Sequence, residues 1–227
     1  LLERVPDALV GGAPRAADLD DPQPRPGRFG WQSATATIAE QTAVAMSREI
    51  GLTSTPVDHD DCTPAQAACR AAPSGGAPEV SPEFLAALVE FQQDLAVPRA
   101  RSAAPDASAL FAETGCTACH RPTLPVEGVP GLASITAYTD LRVHDLGAAL
   151  ADRDASGRVV PTRFRTAPLW GLDHAARRPL ALLHDGRARS IEEAILWHDG
   201  EAHAVRERFE RLDAGARRRL TDWLGAL

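Results

Sequence analysis

Cys116-Thr117-Ala118-Cys119-His120 is the stretch that decides the fold class. Two thiols at this spacing can each add to one vinyl group of a haem. The adjacent imidazole then takes the iron from the proximal side. A redox dithiol needs no histidine after its second cysteine. A zinc site needs a second ligand pair, and Cys62 and Cys69 are too widely spaced to supply one. One covalent haem c is therefore the expected cofactor, with Cys116, Cys119 and His120 as its attachment and proximal residues. A second axial ligand is common in such proteins. The candidates are Met46, which is the only methionine, and His59, His144, His174, His184, His198 and His203.

Outward from the motif, the pattern is helical and loop-rich. Pro105 to His120 predicts a helix with Leu110 and Phe111 turned inward. Ser81-Pro82-Glu83 is a strong helix start, with serine as N-cap, proline in the first turn and an acid at the positive end of the dipole. Phe84, Leu88, Phe91 and Leu95 form its apolar stripe. Thr35 to Ile50 reads as a further helix closed by Gly51. Residues 11–30 and 52–80 read as loops rich in proline and glycine. Residues 121–180 are long and irregular, which is unusual unless the segment wraps something. Ser190-Ile191-Glu192-Glu193 is a capping box that opens a helix through Trp197 and His198. Leu220, Trp223, Leu224 and Leu227 recur at helical spacing. No stretch alternates with period two. The expected fold is mainly α: a cytochrome-c-like haem lobe over residues 99–227, with long loops and an N-terminal extension, residues 1–98, that bridges between lobes.

Composition narrows the function classes. The chain has 227 residues and a net charge of −7, which argues against a nucleic-acid binder, since phosphate binding needs a basic face. All 24 basic residues are arginine, which excludes Schiff-base and P-loop lysine chemistry. No apolar run is long enough to span a membrane. Residue 1 is leucine, and no basic segment leads into an apolar one, so a processed product or a piece of a longer chain is expected.

Four separated stretches carry a family resemblance. Leu183-His184-Asp185-Gly186-Arg187-Ala188-Arg189-Ser190-Ile191-Glu192-Glu193-Ala194-Ile195 resembles the segment after the second haem motif of bacterial di-haem cytochrome c peroxidases and of the methylamine dehydrogenase maturation enzyme. Gly27-Arg28-Phe29-Gly30-Trp31, His144-Asp145-Leu146-Gly147 and Thr166-Ala167-Pro168-Leu169-Trp170-Gly171-Leu172 agree, in order, with their relatives, the di-haem oxidoreductases once described as thiol oxidoreductases. The resemblance covers nearly the whole chain. It implies that His198 stands where the family carries the distal ligand of the second haem, commonly methionine. Histidine there implies a bis-His, low-spin iron. It also implies that His184 lies at the haem edge on the propionate side, that Arg187 is a further cofactor-binding residue, and that Trp31 relays electrons between two haems. Asp18, Asp20 and Asp21 could supply oxygens to a calcium ion between lobes.

One departure is large. The family has two Cys-x-x-Cys-His motifs and this chain has one, so the chain looks like the C-terminal, electron-transfer lobe. The implied activity is an oxidoreductase of peroxidase type, if the lobe is completed by an N-terminal haem lobe or a second haem-bearing chain. A small redox protein would donate the electrons. A standalone electron-transfer cytochrome, or a non-haem exported binding module with two structural disulfides, are the alternatives. Cys62 and Cys69 are expected to form a local disulfide. Together with haem c this points to a periplasmic or otherwise exported protein.

Overall fold

The computed structural model describes residues 1–10, 14–15, 25–98, 100–101, 104–152, 163–175 and 181–227. Local signals start and stop the helices. Helix α1 (Ile38–Ile50) begins where the Thr37 hydroxyl accepts the Glu40 N–H, and it ends at Gly51 in the left-handed region. After the short α2 (Ala67–Arg70), helix α3 (Pro82–Asp94) is capped by Ser81, whose hydroxyl accepts the Phe84 N–H. Helix α4 (Pro105–Thr114) stops earlier than its sequence pattern predicts. Gly115 takes φ 95° there, and Cys116–Ala118 form a separate 3₁₀ turn. A side chain at Gly115 would run into the Arg208 guanidinium, which donates to the Thr114 carbonyl. The motif therefore sits on a turn beyond the helix rather than on its last turns.

The C-terminal part carries α5 (Leu172–Ala175), α6 (Ile191–Leu196), α7 (His203–Glu210) and α8 (Ala214–Leu224). The described residues also contain three antiparallel two-stranded ladders: β1 (Pro14–Arg15) with β2 (Arg25–Pro26), β3 (Thr123–Pro125) with β4 (Ser134–Thr136), and β5 (Val143–Asp145) with β6 (Arg163–Arg165). Four of these strands fall in the segment expected to be irregular. At two or three residues each they are too short to show alternation. The protein is mainly helical, with little sheet.

Three apolar clusters hold the described residues. Phe111, Phe209, Leu220, Trp223, Leu224 and Leu227 join α4, α7 and α8, with Ile191 and Ile195 of α6 packed against them. Val5 and Val10 pack with Leu124, Ile135 and Leu141 around the β3–β4 ladder. Ala43, Met46, Val80 and Leu85 form a small core between α1 and α3. Most of the apolar stripe on α3 is exposed. Leu85 is buried and Leu88 is partly covered, whereas Phe84, Phe91 and Leu95 are 56%, 63% and 58% exposed. Periodicity identifies an apolar face but not what covers it.

Arg28 is fully buried. Its guanidinium donates to the carbonyls of Leu2, Glu3 and Val5 at 3.0–3.1 Å and to the Asp7 carboxylate, pinning the first turn of the chain. Arg28→Met leaves those carbonyls without their donor and should cost about 3 kcal/mol. Arg25 reaches Asp7 only at 3.8 Å from a partly exposed position, so Arg25→Met should cost under ~1 kcal/mol. Denaturant midpoints of the two variants check the contrast. Equal losses would show that the buried contacts contribute nothing special.

Cys62 and Cys69 form a disulfide with Cα atoms 5.9 Å apart. Alkylation of the denatured, unreduced chain should label neither residue. Labelling of both would contradict the bond.

Candidate functional site

Gly115 turns the chain so that Cys116, Cys119 and His120 follow α4 directly, against the cluster built on Phe111 and Trp223. Neither cysteine is in a disulfide. Burial pushes the Cys116 thiol up to about 11, the reverse of what a reactive dithiol needs.

His120 lies beside an aromatic cluster. Phe111 lies 6.3 Å from it, centroid to centroid, and Phe111, Tyr138 and Trp223 contact one another at 5.3–6.1 Å. Its Nδ1 is 2.9 Å from the Tyr138 carbonyl. A carbonyl can only accept, so Nδ1 carries the proton and the ring's lone pair is on Nε2. Burial pushes His120 down to about 4, against the pull of that carbonyl, so the ring is neutral near pH 7. His198 repeats the arrangement. It follows the end of α6, which closes at Leu196 rather than running through His198 as the sequence suggests. Its Nδ1 lies 2.7 Å from the Ala194 carbonyl, and burial again lowers its pKa. Two neutral imidazoles therefore have Nε2 lone pairs, with ring centroids 6.5 Å apart. Two metal–imidazole bonds of about 2.0–2.1 Å on one ion put ring centres roughly 6.3 Å apart. The donor set and spacing fit an iron held between the two rings, and the two cysteines beside His120 fit covalent attachment of its porphyrin.

Of the other candidate ligands, His144 lies close to Cys119, and the rest have partners of their own. Met46 is buried in the α1–α3 core. His59, His174 and His203 are exposed beside Asp58, Asp173 and Asp199. His184 stacks on Phe164 at 3.9 Å, with Nε2 2.9 Å from Asp152. Arg187 bonds to Asp185 and to the Ala149 carbonyl, and its guanidinium lies 4.8 Å above the ring of Trp197, the neighbour of His198. Trp31 is 54% exposed, and its carbonyl accepts the Arg165 N–H at 2.7 Å. Asp18, Asp20 and Asp21, expected as calcium ligands, lie outside the described residues.

His144 is held by two carboxylates, with Nε2 2.9 Å from Asp140 and Nδ1 2.9 Å from Glu201. The Asp140 hydrogen bond is the largest of the influences that push it up to about 11. Ligating atoms of Cys119, Asp140 and His144 lie within 4.8 Å of one another. The acid and the imidazole in this trio are already paired to each other.

Tyr138 and Asp140 were invisible as site residues in the sequence. Tyr138 acts through its backbone carbonyl, which no side-chain motif encodes. The one available signal was the Tyr-Thr-Asp run shortly before the His144 motif.

Comparison with known proteins gives one family and one distant structure. The family described as "Di-haem oxidoreductase, putative peroxidase" matches residues 13–227. A solved structure of hydrazine synthase from Kuenenia stuttgartiensis, pressurised with 20 bar xenon, is similar with a TM-score of 0.46 and 20% sequence identity. The match covers 65% of this chain and 56% of that one, so the chain spans a little over half of that relative's length. No curated protein matches. The family match spans nearly the whole chain, site included: the protein belongs to the di-haem oxidoreductase family.

Proposed function

We propose that the chain is an exported, cytochrome-c-like electron-transfer lobe, with one haem c attached through Cys116 and Cys119 and held by His120 and His198. The observation that carries this is the pair of neutral imidazoles, each with Nδ1–H bonded to a backbone carbonyl, with centroids 6.5 Å apart. The haem supplies a reversible one-electron couple. The residues do the rest. The carbonyls of Tyr138 and Ala194 fix ring orientation and raise ligand basicity. His120 and His198 would both hold the iron and so leave no place on it for substrate. Phe111, Tyr138 and Trp223 would shield the His120 side of the site from water.

Electrons would leave towards a second haem on an N-terminal lobe or a partner chain, where a peroxide-type substrate reacts. Exposed Trp31 supports the relay role that the family resemblance gives it. From its carbonyl a bonded route runs through Arg165 and Thr166 to Thr139, whose hydroxyl donates to the Thr166 carbonyl at 2.6 Å, and on to Tyr138 and His120. His184 and Arg187 would hold the haem edge. The Cys62–Cys69 disulfide supports an oxidising compartment. Among the described residues no helix is long and apolar enough to cross a membrane. The α1–α3 core supports a bridging unit within residues 1–98 beside the haem unit over 99–227, with Val5 and Val10 reaching across to pack on the β3–β4 ladder.

The test is the ferric protein made with haem-attachment machinery. It should be low-spin and should leave added cyanide and hydrogen peroxide unbound over minutes. Immediate reaction with peroxide would make this haem the catalytic one and overturn the relay role.

A further inference from the structure

The Tyr138 carbonyl faces His120 from an unusual turn. Tyr138 and Leu141 have φ of 50° and 55°, which side chains with a Cβ rarely adopt. Side chains within the turn hold it. Thr139 Oγ1 accepts the Leu141 N–H at 3.0 Å, and Asp140 Oδ1 accepts the Arg142 N–H at 2.9 Å. The other oxygen of buried Asp140 takes His144 Nε2. On its far side, His144 Nδ1 meets Glu201, three residues beyond His198. The second oxygen of Glu201 accepts the Asp145 N–H at 3.0 Å. Carboxylates accept at both ring nitrogens, so the ring donates at both. The backbones cross closely here: a Cβ at Gly200 would lie 2.5 Å from the Asp145 carbonyl oxygen and 2.9 Å from Gly147 N. The His144-Asp145-Leu146-Gly147 stretch thus ties the turn that orients His120 to the segment that follows His198.

We infer that His144 is a positioning residue: bridging Asp140 and Glu201, it holds the two ligand-bearing segments at the separation that one iron requires. This rests on the bis-histidine reading above. Without the bridge, Asp140 and the turn it closes lose their link through the imidazole to Glu201, leaving the Glu201–Asp145 N–H bond and the backbone crossing, and His198 leaves the iron more often.

The experiment compares ferric wild type, His144→Ala, Glu201→Gln and His203→Ala, each with its haem attached, by cyanide titration and spin-state spectrum. His203 is a matched control, an exposed imidazole between Asp199 and Glu207. His144→Ala should keep its covalent haem, gain a high-spin fraction and bind cyanide about 10- to 100-fold more tightly. Glu201→Gln, which alters one group and keeps its shape, should move the same way by less, and it carries the test if His144→Ala does not fold. His203→Ala should match wild type. Unchanged cyanide affinity in His144→Ala, or in Glu201→Gln where only that variant folds, overturns the inference. So does an equal gain in His203→Ala. A wild type that binds cyanide at once instead fails the bis-histidine reading, and the inference falls with it.

Discussion

His198→Ala should convert a low-spin haem protein into a high-spin one that binds cyanide and peroxide. The reason is competition for one coordination position. If His198 leaves the iron in about 1% of wild-type molecules, an external ligand binds roughly 100-fold more weakly than it would to an open site, and removing the side chain restores that factor. The loss should stay local. His198 lies just past α6, and that helix is anchored by Ser190, whose hydroxyl caps it, and by Ile191 and Ile195 on the Phe111–Trp223 cluster. The contrasts are as informative as the variant. His184→Ala removes a ring that stacks on Phe164 and should shift the potential while keeping the low-spin spectrum. Met46→Ala should lower stability, because Met46 fills the α1–α3 core, and leave the spectrum alone. A high-spin spectrum in either of these, with His198→Ala still low-spin, would move the distal ligand elsewhere.

Cys116→Ser with Cys119→Ser should have the second large effect. Wild-type haem should stay with the chain through denaturation and acid–acetone extraction, because thioether bonds survive both. The double variant should release all of it. Each single variant should retain haem through one bond. The cost should reach beyond attachment, since Cys116 packs against the same cluster as Phe111, Tyr138 and Trp223. The double variant should therefore also melt at a lower temperature than holo wild type. Extraction of haem from wild type itself would remove the c-type assignment.

The helix starts were legible because single side chains make them. Ser81 and Ser190 each cap the helix that the sequence placed after them, whereas α1 starts at Ile38 behind Thr37 rather than at Thr35. The end of α4 was overrun although Gly115 marks it, because the cysteine motif continued the pattern. The β3–β4 and β5–β6 ladders left no trace in a sequence read by periodicity, since three residues cannot alternate convincingly. His198 stood out from the other histidines only through the family resemblance. Its closeness to His120 depends on how α6 seats on α4 and α8, which local pattern does not encode. Tyr138 was missed because its contribution is a carbonyl presented by a left-handed backbone. The His144 stretch was visible as a motif, but its contacts with Asp140 and Glu201 come from the fold.

The central claim is one haem held between His120 and His198. Near-infrared magnetic circular dichroism of the ferric holoprotein tests it most directly, because the charge-transfer band reports both axial ligands. The account predicts a single low-spin species with two imidazole ligands, lost in His198→Ala. A histidine–methionine band, or a high-spin iron in wild type, would contradict it.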